Sequence, residues 1–264
     1  METPRINGER IRRYLSEGKR FDGRKMDEFR NIQIELGISK KAEGSARVRI
    51  GKTEVIVGIK MDVGEPYPDS QDKGNLVTSA ELLPLSSPRI ELGKPGFDSI
   101  EMGRIIDRCI RESKFINFEK LCIKEGEKVW NVFVDIYSIN DDGNLLDAAG
   151  IAAIAALKSA KMPGYNEATG KADYEKHAGK IPLSDDFPIS ITFHKIGDNF
   201  IVDPTREEED FSETRVTIGS LKGTIASMQK GETEVITFED LSKLLELVGK
   251  VYKDVAKEVE KQVK

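Results

Sequence analysis

The sequence predicts an α+β chain in which antiparallel or mixed sheets are covered by helices and the whole divides into two related halves. Three observations predict it. Apolar residues recur at every second position in several short runs, and glycine-containing turns join these runs in pairs, as in half-buried β-hairpins. Longer stretches place apolar residues three and four apart, the spacing of a helix with one buried face. The strand and helix patterns also come in blocks, strands then helix, three times over, which favours hairpin-built sheets with helices packed on them.

Residues 1–30 form a segment of their own, with nine Lys and Arg against six Asp and Glu, and 9–16 read as a short surface helix. Period-two alternation begins at Ile32, Ile34 and Leu36. A hairpin follows over 44–60, with Val48 and Ile50 before a turn at Gly51 and Lys52, and Val55, Val57 and Ile59 after it. The string Gly51-Lys52-Thr53 imitates the end of a phosphate-binding loop. Such a loop also needs a glycine where this chain has Ala46, and it joins a strand to a helix rather than two strands, so no nucleotide site is expected. Residues 64–96 hold Pro66, Pro68, Pro84, Pro88 and Pro95 and little periodicity, which predicts a long irregular segment. The apolar stripe Ile100, Ile105, Ile106, Cys109 and Ile110 predicts a helix over 98–115.

A second hairpin is expected over 121–139, about the turn Glu125-Gly126. A polar turn at 140–144 opens an alanine-rich helix over 145–161, ended by Pro163 and Gly164; its small side chains suit close packing on a sheet. Residues 165–188 read as a polar connecting loop. A third hairpin covers 189–202 about Gly197, and short strands are expected at 215–218 and 223–228. Thr237 and Asp240 have the spacing of a helix cap. After them Leu241, Leu244, Leu245, Val248, Val251, Tyr252, Val255 and Val259 mark a long amphipathic C-terminal helix. The expected division is therefore the basic segment 1–30, a first unit over 31–164, the loop 165–188 and a second unit over 189–264. The hairpins at 44–60 and 189–202 hint that the two units are duplicates.

Composition narrows the function. The 264 residues suit one large domain or two small ones. A net charge of −5 excludes a generally basic coat, so any nucleic-acid contact must come from a local patch or from a partner chain. Two cysteines, Cys109 and Cys122, with two histidines make neither a disulfide framework nor a Cys/His zinc site. No apolar run approaches the ~18–20 residues of a membrane span, and residues 1–20 lack the apolar core of a secretory signal. A cytoplasmic protein without membrane, metal or cofactor is the expectation.

Three constellations carry possible chemistry. Arg104, Arg108 and Arg111 fall at i, i+4 and i+7 on one helix, beside its apolar face. Their planar forks match phosphate oxygens and could hold successive phosphates of a single strand. Alternatively Glu101, Asp107 and Glu112 pair with them as a salt-bridged surface. The second is Asp142-Gly143-Asn144 at the head of the alanine-rich helix, where free N–H groups could hold an anion. The residues that follow, Leu145, Leu146 and Asp147, favour a simple cap instead. The third is the acidic run Glu207-Glu208-Glu209-Asp210 beyond Asp203-Pro204, which reads either as an acid/base or Mg²⁺ cluster or as a solvated loop.

Arg20-Phe21-Asp22-Gly23-Arg24 resembles the Arg-x-Asp-Gly-Arg opening of the RNase PH family. In order along the chain, so do the helix about Gly103-Arg104-Ile105-Ile106-Asp107-Arg108, Val129-Trp130 with Asp135, Asp142-Gly143 with its alanine-rich helix, and Asp203-Pro204-Thr205 with Glu208-Glu209. The likeness runs from about residue 20 to the C-terminus and is nearest to the non-catalytic RNase PH-like subunits of archaeal exosomes. It implies an RNase PH-like fold with both units contributing. It also implies a hexameric ring of three heterodimers with a catalytic RNase PH-like subunit, capped by KH- or S1-domain subunits, that degrades single-stranded RNA from its 3′ end with phosphate as nucleophile. Active members carry hydroxyl or cationic residues where this chain has Asn144, Leu145 and Leu146, and aspartates where it has Glu209 and Arg215. The resemblance therefore implies no catalytic residue here, and Arg104 and Arg108 as RNA-binding residues, with Arg111 undecided. Two rivals stay open: an exoribonuclease active alone through Asp203, Glu209 and Asp210, and a purely structural ring scaffold.

Overall fold

The computed structural model describes residues 4–263. The chain opens with helix α1 (Arg5–Ser16), longer at its start than expected. Strands β1 (Ile32–Leu36), β2 (Gly44–Ile50) and β3 (Thr53–Gly64) follow as an antiparallel meander. Along β2 and β3 the alternate residues Ala46, Val48, Ile50, Val55, Val57 and Ile59 are all buried, as period two requires. β3 pairs with the long strand β6 (Lys128–Asn140), onto which β5 (Cys122–Lys124) folds as a short hairpin.

The segment 64–96 is not irregular throughout. Asn75–Glu81 forms strand β4, which lies parallel to β6 and completes the order β1-β2-β3-β6-β4. Helix α2 (Phe97–Glu112) lies between β4 and β6 in sequence and packs on β4, so the three form a parallel crossover. The sequence concealed this strand because only Leu76 and Ala80 of its apolar residues are buried, while Val77 faces out. A single buried pair gives too little alternation to read, and the pairing with β6 supplies the stability instead. The sheet is consequently mixed.

A second sheet has the order β10-β9-β11-β12, all antiparallel, built from β9 (Ile189–Ile196), β10 (Asn199–Val202), β11 (Thr214–Leu221) and β12 (Thr224–Gly231). Between the two sheets runs α3 (Leu145–Ser159), packed on β2 and β3 on one side and on β9 on the other. Every residue from Asp147 to Leu157 is buried, which explains a composition that is apolar all round. Gly44 on β2 faces this helix, and a Cβ there would collide with the Ala156 carbonyl and Ala160. A smaller cluster of Ile11, Leu15, Ile196 and Ile201 fastens α1 beneath the second sheet.

α3 stops at Ser159, two residues short of the expected end, because Ala160 turns extended and Lys161 N–H bonds to the Glu43 carbonyl. Pro163 and Gly164 do not end a helix; they lie in strand β7 (Lys161–Asn166), where the register shifts. The expected loop over 165–188 is also corrected. Its first half forms, with β7, a two-stranded ribbon whose second strand is β8 (Lys171–Lys180). The ribbon is mostly exposed and so has no apolar alternation to betray it. Tyr174 Oη anchors it, donating 3.0 Å to the Met61 carbonyl.

The C-terminal helix α5 (Phe238–Val263) begins as expected, with Thr237 Oγ1 accepting from Asp240 N–H and Asp240 accepting from Thr237 N–H. It packs against the edge strand β1 of the first sheet and the central strands β9 and β11 of the second, burying Leu244, Val248, Val251, Tyr252, Val255 and Val259. Two residues leave their expected stripes: Leu245 is 41% exposed on α5 and Ile100 is 55% exposed on α2. Urea unfolding should separate neighbours on α5. Leu244→Ala is expected to cost about 2–4 kcal/mol by opening a core cavity, and Leu245→Ala no more than about 0.5 kcal/mol; equal losses would place the stripe wrongly. Among the described residues no helix is long and apolar enough to cross a membrane.

Candidate nucleic-acid interface

Helix α2 buries Met102, Ile105, Ile106, Cys109 and Ile110, and Gly103 lets it lie close to β4, where a Cβ would stand 3.2 Å from the Thr78 carbonyl. Its opposite side carries the three arginines, and the structure sorts them. Arg111 is paired with Asp107 at 3.0 Å and also donates to the Leu76 carbonyl. Glu101, nearly buried, is paired with Arg215 of β11. Arg104 and Arg108 are exposed and have no ion pair or hydrogen bond among the described residues. Glu112 stands four residues after Arg108 but does not pair with it; an acid following its base is the weaker order on a helix. The salt-bridged reading therefore holds for Arg111 alone.

The two free arginines line clefts on both flanks of α2. One cleft, of about 470 Å³, is walled by Thr78, Ser79, Pro95 and Ser99. The other, of about 230 Å³, is walled by Phe97, Ile100, Met228 and Gln229. Positive charge thus sits between hydroxyls on one side and exposed apolar and amide side chains on the other. That combination suits a phosphodiester strand: guanidinium for phosphate, apolar surface for base or sugar faces.

The other two constellations meet in one place, at the head of α3. Residues Arg206–Glu209 form a single helical turn, α4, with a capping box between Thr205 and Glu208. The acidic run is therefore not a solvated loop: Glu207 is exposed, Glu209 and Asp210 are half-buried and Glu208 is buried. Glu208 accepts from Arg20 at 2.9 and 2.5 Å, and both side chains are withdrawn from solvent. Asp210 pairs with Arg89 and Arg206. Glu209 pairs with Arg206 and accepts from Asn144 N–H at 3.3 Å. Burial pushes the Glu209 carboxyl above its ordinary range despite the charge of Arg206.

Asp203 ties this region together. It is fully buried at the end of β10, receiving Arg30 at 2.7 Å, Arg24 at 2.8 Å and Asn144 Nδ2 at 2.8 Å. Burial raises its pKa, but the hydrogen bonds and charge of Arg30, followed by the charge of Arg24, outweigh that and hold it below the ordinary carboxylate range. Arg30 also donates to the carbonyls of Asp142 and Gly143, fixing the turn before α3. Gly143 is required there: its φ is +88°, and a Cβ would stand 2.5 Å from the Pro204 carbonyl. Asn144 follows in the left-handed region without capping α3 through its own side chain, so the expected simple cap is replaced by the reach of Glu209 and Asp203.

A cleft of about 420 Å³ beside this network is lined by Arg89, Arg206, Arg215, Glu209, Leu145 and Leu146, among others. His194, deep in its wall, is driven down to about 3 by burial and then by the charges of Arg215 and Arg206, so it stays neutral and bonds to Ser212. Among the described residues no group of three or more His, Cys, Asp or Glu is arranged to hold a metal ion. Sequence reading singled out Asp203, Glu209 and Asp210 but missed Arg30, which belongs to no motif. Its signal is indirect: a buried strand-end acid demands a cation, and Arg24 alone does not satisfy both oxygens.

Two sheets packed on a shared alanine-rich helix, with an arginine-bearing helix on one flank, define an α+β fold of two sheets sharing one central helix. The chain belongs to the 3′ exoribonuclease family, RNase PH: domain 1 of that family matches residues 28–163 and domain 2 matches residues 186–248. The resemblance seen in the sequence is thereby borne out. The chain is similar to the exosome complex component Rrp42 of Archaeoglobus fulgidus, with 48% identity over 217 residues, 82% of this chain and 81% of that protein. It is 43% identical to the component of the same name from Thermococcus kodakarensis, over 94% of this chain and 92% of that one. In solved structures it matches a chain of the Archaeoglobus fulgidus exosome with RNA bound to the active site, at TM-score 0.88 and 42% identity over 98% of each chain. It also matches a chain of an archaeal exosome core at TM-score 0.85 and 39% identity, over 97% of each.

Proposed function

We propose that this chain is a non-catalytic subunit of an archaeal exosome, a cytoplasmic ring that degrades RNA phosphorolytically from the 3′ end. It assembles with a catalytic RNase PH-like subunit as three heterodimers beneath KH- or S1-domain cap subunits. It shapes the partner's active site and offers Arg104 and Arg108 to the single-stranded RNA.

One observation carries the non-catalytic reading: the head of α3 is already filled by the chain's own carboxylate, with Glu209 on Asn144 N–H. A phosphate nucleophile would need that N–H group and neighbouring hydroxyl or cationic side chains, and Leu145 and Leu146 follow instead. Glu209, Asp210 and Asp141 would also repel a dianion. Phosphoryl transfer rests on positioning and on fixed charges for the developing anion, where one lost donor costs about 10²–10³ in rate. The similarity to exosome components supports the assembly, and the two free arginines support the RNA contact.

The isolated chain is accordingly expected to release no nucleoside diphosphates from poly(A) with inorganic phosphate, while the ring formed by co-expression with the catalytic partner does so. Phosphate-dependent release by the pure, partner-free chain would overturn the reading in favour of an enzyme active alone.

A further inference from the structure

Helix α2 carries acids that could neutralise its own arginines. Glu101 precedes Arg104 by three residues, and an acid placed one turn before a base is the favourable order for pairing on a helix. Asp107 follows Arg104 by three. In the structure neither acid does so. Glu101 is drawn aside by Arg215, which reaches across from β11, and Asp107 is held by Arg111 at 3.0 Å.

Arg215 is built for this one contact. It is packed against the backbone of Gly231, where a Cβ would stand 2.6 Å from its Cζ. Its Nη2 meets Glu101, while its buried Nη1 has no hydrogen-bond partner. Glu101 in turn has no other ion pair among the described residues. The pair lies nearly out of solvent, whereas Arg104 and Arg108 lie exposed beside it.

We infer that Arg215 is a positioning residue for RNA binding: it sequesters Glu101 and so leaves Arg104 unpaired for phosphate. The inference rests on the proposed RNA role of Arg104 and Arg108. Without Arg215, Glu101 swings one turn along α2 and pairs with Arg104, which then meets RNA already neutralised. Losing one phosphate contact on a single strand lowers the slope of log affinity against log salt by about 0.7.

The test uses reconstituted rings carrying wild-type chain, Arg215→Gln, Glu101→Gln, the double variant Arg215→Gln/Glu101→Gln, and Arg104→Ala/Arg108→Ala, each titrated with single-stranded RNA at several salt concentrations. Arg215→Gln is expected to weaken binding about three- to tenfold at low salt and to lower the slope by about 0.7. Glu101→Gln, and the double variant, are expected to bind as wild type does, because no carboxylate is left to capture Arg104. The inference is overturned if Arg215→Gln leaves affinity and slope unchanged, or if Glu101→Gln and the double variant weaken binding as much as Arg215→Gln, the pattern of a purely structural pair. Should Arg215→Gln fail to assemble, Arg215→Met is read in its place, with the same loss of affinity and slope expected and an unchanged slope overturning the inference. If Arg104→Ala/Arg108→Ala itself has no effect, the RNA role fails first and the inference with it.

Discussion

Replacing Arg104 and Arg108 together by alanine is expected to reduce the salt dependence of RNA binding by the assembled ring. Each phosphate neutralised on a single strand contributes about −0.7 to the slope of log affinity against log salt, so the double variant should lose roughly 1.4 if each arginine holds one phosphate. RNA degradation should slow in parallel while assembly stays intact. The structure explains why stability should not suffer: both side chains are exposed and neither makes an ion pair or hydrogen bond among the described residues. Arg111→Ala/Asp107→Asn is the matched control, because it removes the Arg111–Asp107 pair and the bond to the Leu76 carbonyl without freeing an acid to capture Arg104. Titrations at several salt concentrations and the molecular mass of the ring read both effects. An unchanged slope with unchanged degradation would leave α2 as a surface without an RNA role.

Asp203→Ala is expected to be the most damaging single change to stability. It strips the partner from Arg30 and Arg24 and the acceptor from Asn144 in a site closed to water. Breaking a buried pair by removing one member costs about 3–5 kcal/mol, which for a chain of this size lowers the melting temperature by roughly 6–20 °C. The cost should depend on pH. The folded pKa of Asp203 lies below its ordinary value of 3.8, so the stabilisation is complete above that value and is lost as pH falls through the folded pKa. Thermal unfolding of wild type and variant should therefore differ most above pH 4 and converge in strong acid. A difference that stays constant down to pH 2 would mean that the carboxylate's charge is not what the arginines need. Asp147 acts in the opposite sense. Burial raises it to about 7, with Thr192 opposing, so what it contributes is whole below 3.8 and lost as pH rises through about 7.

The strands whose sides divide cleanly between core and water are legible in the sequence alone. β2 and β3 alternate residue by residue, and their turn at Gly51 is local chemistry. β4 and the β7–β8 ribbon are not, for two different reasons. β4 buries a single apolar pair and depends on β6, more than fifty residues away, for its hydrogen bonds. The ribbon buries almost nothing, so hydrophobic periodicity has no hold on it. In the candidate interface, the helical spacing of Arg104 and Arg108 was readable, as was the set of acids that could neutralise them. Which acid goes to which base was not, because the deciding residue, Arg215, arrives from the other sheet. The same holds for Arg30, whose acceptors at 142, 143, 203 and 204 are distant from it in sequence and adjacent only after folding.

The placement of α3 bears on how the chain comes apart. The first family match ends at residue 163 and the second begins at 186, which invites a division of the chain into two pieces. Yet α3, within the first, gives one flank to β2 and β3 and the other to β9 of the second. A piece ending at 163 would hold up a row of alanines and isoleucines to water, and a piece starting at 186 would lack the wall on which its own sheet rests. Neither owns a complete interior. Loss of one sheet strips the helix, and the stripped helix no longer supports the other, so the two matches mark a seam in the sequence across which unfolding does not stop.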